Sequence, residues 1–161
     1  MAPVPSNVPA EIEIETETEA GTETETETGI NEYIIDAVLD TENKVLAVEQ
    51  QVTYVNNDDA ELSELYFHVY ANAFKKKETA PFLFDDFSRA YARGFLPGYS
   101  DITSVELSDG QSRKAIEYSL QGEGETILEV KLPEPLLPQK KITIQLKYKV
   151  IIPPAGERFG Y

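Results

Sequence analysis

Polar and apolar residues alternate through two long stretches of the chain. In KVLAVEQQVTYVNN (44–57), Leu46, Val48, Val52 and Tyr54 fall on one side of an extended backbone, and Glu49, Gln51 and Thr53 on the other. A period of two marks a half-buried strand, because successive side chains point to opposite faces. KITIQLKYKVII (141–152) repeats the pattern: Ile142, Ile144, Leu146, Tyr148, Val150 and Ile152 alternate with Lys141, Thr143, Gln145, Lys147 and Lys149, so one face is core and the other wet. Weaker alternation predicts strands over about 32–40, 63–70, 101–108, 115–120 and 126–132. DTEN, SDGQSR, QGEGE and PEPLLPQK separate them, each rich in turn-forming residues. About seven strands without a long amphipathic helix predict an all-β fold over 31–161, an antiparallel β-sandwich or saddle-like sheet.

Two segments depart from this pattern. Residues 75–101 make a long connection punctuated by Phe82, Phe84, Phe87, Tyr91 and Phe95, with Tyr99 near its end, so it is expected to pack as an aromatic loop. Within it, DDFSRAYAR predicts one or two helical turns capped by Asp85 or Asp86. Residues 1–30 open on MAPVPSNVP and continue as a Thr/Glu alternation, which as a strand would line Glu11, Glu13, Glu15, Glu17 and Glu19 along one face. Like charges so aligned repel, so a disordered Pro/Thr/Glu-rich tail is expected. The functional alternative, a calcium-collecting tail, lacks the turn residues that shape a cage.

Charge and composition narrow the partners. The net charge is −15, and roughly half of it belongs to residues 1–30, which hold eight Glu and no Lys or Arg. Such a chain repels nucleic acid and anionic lipid, and FKKKE (74–78) is too short for a basic stripe. No run approaches the roughly 18 apolar residues of a spanning helix, and the opening residues have neither a basic start nor an apolar core, so neither membrane insertion nor an export signal is expected. An extracytoplasmic address would need a start upstream of Met1. The absence of cysteine leaves the compartment open.

The same inventory limits chemistry. His68 is the one histidine and there is no cysteine, so a His- or Cys-ligated zinc lacks its ligands and no metal is expected in this chain. Ser63, Ser88 and Ser104 have no nucleophile elbow around them, and GEGE lacks the spacing of a phosphate loop. Asp58/Asp59 and Asp85/Asp86 are adjacent pairs, suited to a turn and a helix cap more than to flanking a sugar. On a strand over 63–70, Tyr66, His68 and Tyr70 share one face and Leu65, Phe67 and Val69 the other. Apolar on both sides, it is expected in mid-sheet, with His68 a neutral, hydrogen-bonded packing residue.

Four blocks, YIIDAVLDTENKVLAVEQQVTYVNN, ELYFHVYANAFKKKETAPF, GFLPGYSDI and VIIPPAGERFGY, resemble in order and spacing the N-terminal β-domain of bacterial M1-family zinc metallopeptidases, the aminopeptidase N-like group. Ala71 departs from that pattern, which carries proline at this position. The resemblance implies a saddle-like β-domain that helps to bound the substrate cavity of a thermolysin-like catalytic domain. The latter would carry the HExxH zinc motif and the GxMEN-type loop, neither of which occurs here. No family catalytic or metal residue is therefore carried over, and the chain alone is expected to be inactive. Its expected partner is the catalytic domain, with peptide substrate reached only in the full-length enzyme. The candidate docking or binding surface comprises Tyr66, His68, Tyr70, Phe82, Phe84, Phe87, Tyr91, Phe95 and Tyr99. The alternative is a stand-alone β-sandwich module that grips carbohydrate or protein through its aromatic loop on an acidic tether.

Overall fold

The computed structural model describes residues 29–81, 86–92, 94–154 and 159–161; the acidic segment 1–28 and Phe82, Phe84 and Asp85 lie outside them. The two cleanest alternations become β2 (Val45–Val55) and β8 (Lys141–Ile151), antiparallel neighbours paired along their whole length. β1 (Glu32–Asp40) lies beyond β2, β4 (Tyr99–Ser108) beyond β8, and the short β5 (Arg113–Ala115) completes a sheet ordered β1-β2-β8-β4-β5. A smaller sheet, ordered β3-β7-β6, is built from β3 (Leu62–His68), β7 (Ile127–Leu136) and β6 (Tyr118–Gln121). The fold is an all-β arrangement of two antiparallel sheets.

The core lies between the sheets. Directly paired residues of an antiparallel ladder share a face. Val52 pairs with Ile144, Gln50 with Leu146, and Leu65 with Val130, so one face of each sheet points inward. Val52, Ile144 and Val130 have no exposed surface, and Leu128, Val105 and Leu146 join them.

Three expectations are corrected. The predicted strand over 115–120 is two short strands in different sheets. Ile116 N–H bonds Val105 O at 3.1 Å on one sheet and Lys131 N–H bonds Glu117 O at 3.0 Å on the other, so the chain crosses between them at Ile116–Glu117. Apolar residues on both sides of the crossing, Ile116 and Leu120, pack against the same core, which makes the stretch read as one strand. β7 runs past 132 through Pro133 and Pro135 to Leu136. Its pairing with β3 is irregular there, between Leu62 and Glu64, so the missing proline N–H groups break no regular ladder. Finally, β3 is an edge strand, and it gives way to a 3-10 turn at Tyr70–Lys75. Tyr66 and Tyr70 carry polar tips that tolerate water, so apolar residues on both faces did not require burial on both.

The outer face of the large sheet is polar but partly closed. Thr53 and Thr143 hydroxyls meet at 3.3 Å, Gln145 Nε2 donates to Gln51 Oε1 at 2.6 Å, and Lys147 Nζ meets Glu49 Oε1 at 2.8 Å. This cross-strand ladder buries Gln145, expected on the wet face. The predicted helical turn is present as α1 (Phe87–Ala90), where the Asp86 carboxylate accepts Ser88 N–H at 2.9 Å.

Candidate functional site

The sheets are unequal in width, and this leaves a cleft at one flank. β5 and β6 are joined by the crossing at Ile116–Glu117, which closes one flank of the sandwich. At the opposite flank β3 ends the small sheet while the large sheet continues to β1. The inner face of β1 is therefore uncovered. Tyr33 pairs with Val52 and Ile35 with Gln50, which places both on the core-facing side, yet they are 53% and 55% exposed. A cleft of about 450 Å³ opens there, lined among others by Tyr33, Gln50, Phe67, His68, Leu146 and Tyr148. A second of about 420 Å³ continues along β3 past Tyr33 to Asp58, Glu61 and Glu64.

The hydroxyls of Tyr148 and Tyr66 on this flank are both hydrogen-bonded. Tyr148 OH donates to Gln50 Oε1 at 2.9 Å at the cleft wall, and burial pushes its phenol pKa up. Tyr66 OH donates to Glu64 Oε1 at 2.6 Å, and this bond, with lesser contributions from desolvation and the charges of Glu64 and Glu129, raises the phenol to about 12. Tyr66 is therefore a neutral donor at any physiological pH. His68, expected as a packing residue in mid-sheet, is instead exposed because β3 is an edge strand, and it stacks on Tyr70 with ring centroids 4.7 Å apart and planes 7° from parallel. Beside Tyr66 on the same face, its cross-strand partner Glu129 is buried and accepts from Gln121 Nε2.

The remaining candidate residues lie elsewhere. Phe87, Tyr91 and Phe95 form a small separate core with Ala80 and Ala90. Their planes are tilted by 29°, 44° and 72° pairwise, Tyr91 OH donates to Pro81 O at 2.9 Å, and Lys77 Nζ sits 4.7 Å from the centre of the Phe87 ring. Tyr99 begins β4, with Lys75 Nζ 5.8 Å from its ring centre. The structure thus brings Tyr66, His68 and Tyr70 together, groups Phe87, Tyr91 and Phe95 apart from them, and leaves Phe82 and Phe84 outside the described residues. Tyr33 was missed, because a lone aromatic on a strand gives no sign of which neighbour will fail to cover it.

Two buried amides were also missed. Asn72 Oδ1 accepts Ser100 N–H at 2.8 Å and its Nδ2 donates to Glu125 O at 2.9 Å. Asn56 Nδ2 donates to Ala60 O at 2.8 Å and Leu136 O at 2.9 Å. Both side chains are fully buried, and each ties one sheet or loop to another. The available sign was a polar residue set inside an apolar stretch, as in YANAF.

Among the described residues no three His, Asp or Glu side chains converge to hold a metal ion, and no helix is long and apolar enough to cross a membrane. The four sequence blocks quoted above do converge, where β2 begins and β8 ends. Ile152 N–H bonds Lys44 O at 2.9 Å, Gly98 N–H bonds Phe74 O at 3.1 Å, and the Phe74 and Phe159 rings lie 5.2 Å apart. Gly98 sits so close to Pro153 and Phe159 that a Cβ would collide with both. Lys44 Nζ caps the group 5.0 Å above the Tyr161 ring. Compared with protein-family models and with curated proteins, the chain has no match.

Proposed function

We propose that this chain is the non-catalytic N-terminal β-domain of an M1-type zinc metallopeptidase, packing against a catalytic domain and helping to bound its substrate cavity. The observation that carries the reading is the convergence of the four blocks: Lys44, Phe74, Gly98 and Phe159 come from stretches far apart in sequence yet meet in one contact region. A resemblance spread over four separated segments is more persuasive when the segments build one piece of structure. The self-packed rings of Phe87, Tyr91 and Phe95 add support, since tilted and partly buried rings offer no flat platform for a sugar.

Zinc, in this reading, belongs to the catalytic domain. The residues here do not fit it: His68 is the one imidazole and its ring is committed to Tyr70. The role left to the chain is positional, presenting a rigid sheet from which the catalytic domain takes its orientation.

Two measurements test the proposal. Coding DNA following this segment is expected to contain an HExxH-encoding stretch, in frame or in the next frame of the same transcript; its absence overturns the reading. Supplied with zinc and a fluorogenic aminoacyl substrate, the pure chain is expected to give no turnover. Hydrolysis that tracks the protein through purification would equally overturn it.

A further inference from the structure

We propose that the open flank accepts one extended segment of a partner polypeptide as a fourth strand beside β3, a segment in which apolar residues alternate with cationic ones. The site does not depend on the peptidase reading.

The backbone comes first. Val69 N–H, just past the end of β3, bonds Thr126 O, just before β7, at 2.7 Å, continuing the pairing of Leu65 with Val130 and Phe67 with Leu128, and Lys131 N–H bonds Glu117 O on the far side of β7 at 3.0 Å. In an antiparallel ladder the N–H and C=O of one residue point to the same side and those of the next to the other. Leu65, Phe67 and Val69 therefore serve the ladder to β7, and the N–H and C=O groups of Glu64, Tyr66 and His68 point to the open flank. Among the described residues no strand pairs with that edge. A row of unpaired groups on a regular edge is a template for an added strand, and a segment of five or six residues, roughly 17 Å, would span it.

The second argument is fit. Strands within a sheet lie about 4.8 Å apart and packed sheets about 10 Å apart, so a strand added to β3 would extend the small sheet over the uncovered flank toward β1. Its inward side chains would meet Tyr33, Ile35 and Leu39, which are now 53%, 55% and 54% exposed on the core-facing side. Those inward positions must be apolar.

Charge then selects the occupant. Asp58, Glu61 and Glu64 line the flank, and the exposed rings of Tyr66 and Tyr70 present faces that attract cations. Outward positions of the added strand therefore favour Lys or Arg. A second copy of this chain brings a net charge of −15 to the same edge, and the segment 1–30 brings eight Glu without a base, so both are repelled.

The test uses the full chain and a capped Lys/Val alternating heptapeptide, with a Glu/Val heptapeptide of the same length as its counterpart. The Lys/Val peptide is expected to bind saturably and to slow amide hydrogen exchange at Glu64, Tyr66 and His68. Methylating its backbone nitrogens on the pairing side should abolish that protection. Replacing Glu61 and Glu64 together by Lys, both exposed, should weaken the Lys/Val peptide by about tenfold and reverse the preference between peptides. Should that variant fail to fold, high salt applied to the native chain must weaken the Lys/Val peptide selectively. Equal binding of both peptides, protection on β1 in place of β3, or indifference to backbone methylation each overturns the proposal.

Discussion

Asn72 shows how a single side chain can hold a loop to a sheet. Its amide satisfies Ser100 N–H at the start of β4 and Glu125 C=O in the turn before β7; Asn72 and Ser100 are buried and Glu125 is half-buried. Truncation removes both partners at once. Each orphaned buried group costs about 1–3 kcal/mol, so Asn72→Ala is expected to lose about 2–4 kcal/mol, read as a lower denaturant midpoint at unchanged slope. A loss below about 0.5 kcal/mol would mean that water replaces the amide and that the turn is not pinned. This role was not legible in the sequence, where Asn reads as a turn former. Its partners lie 28 and 53 residues away, and only the folded chain brings them together. The stacking of His68 on Tyr70 is local by contrast: His68 ends β3 and Tyr70 opens the 3-10 turn only two residues on, so the chain's own path sets their closeness.

At the scale of elements, what could be read was what one buried face dictates. β2 and β8 emerged because Val52, Ile144 and Leu146 must point one way and Thr53, Thr143 and Lys147 the other. The division of 113–121 between two sheets could not be read, because Ile116 and Leu120 reach the same core from either side of the crossing. Nor could the position of β3, since sheet order depends on which strands find each other over long separations. Short elements need other fastenings, and the 3-10 turn at Tyr70–Lys75 is tied to Glu125 by Lys75. The hydrogen bond from Lys75, and then its positive charge, hold the Glu125 carboxyl below its ordinary range. A carboxyl depressed in the folded state stabilises the fold above its unfolded pKa and loses that contribution as pH falls through the folded one. Between the native chain and Glu125→Gln, the difference in Tm is accordingly expected to be constant near neutrality, to shrink below about pH 4, and to vanish in stronger acid. Both proteins carry the same acidic segment, so the discharge of its glutamates cancels in the comparison. A difference that grows on acidification would show that the bridge contributes nothing.

For the whole molecule, the decisive feature is that a three-stranded sheet lies over a five-stranded one, so one inner face is half core and half open. The two halves should respond differently to the same kind of change. Ile144 has no exposed surface, and removing its side chain as Ile144→Ala is expected to cost about 2–5 kcal/mol through lost burial and the cavity left behind. Ile35 and Leu39 also lie on core-facing positions of the same sheet, on its edge strand β1, but more than half of each is exposed. Replacing either by Thr preserves a strand-forming residue and removes little burial, so each substitution should change stability by less than about 0.5 kcal/mol. Equilibrium unfolding of the three variants checks this directly. If Ile35→Thr or Leu39→Thr matched the cost of Ile144→Ala, the flank would be covered in solution by part of this chain or by a second copy, and a site for an added strand beside β3 would not exist. If they are silent in the isolated chain yet abolish binding of the Lys/Val peptide, the apolar surface of β1 is kept for a partner.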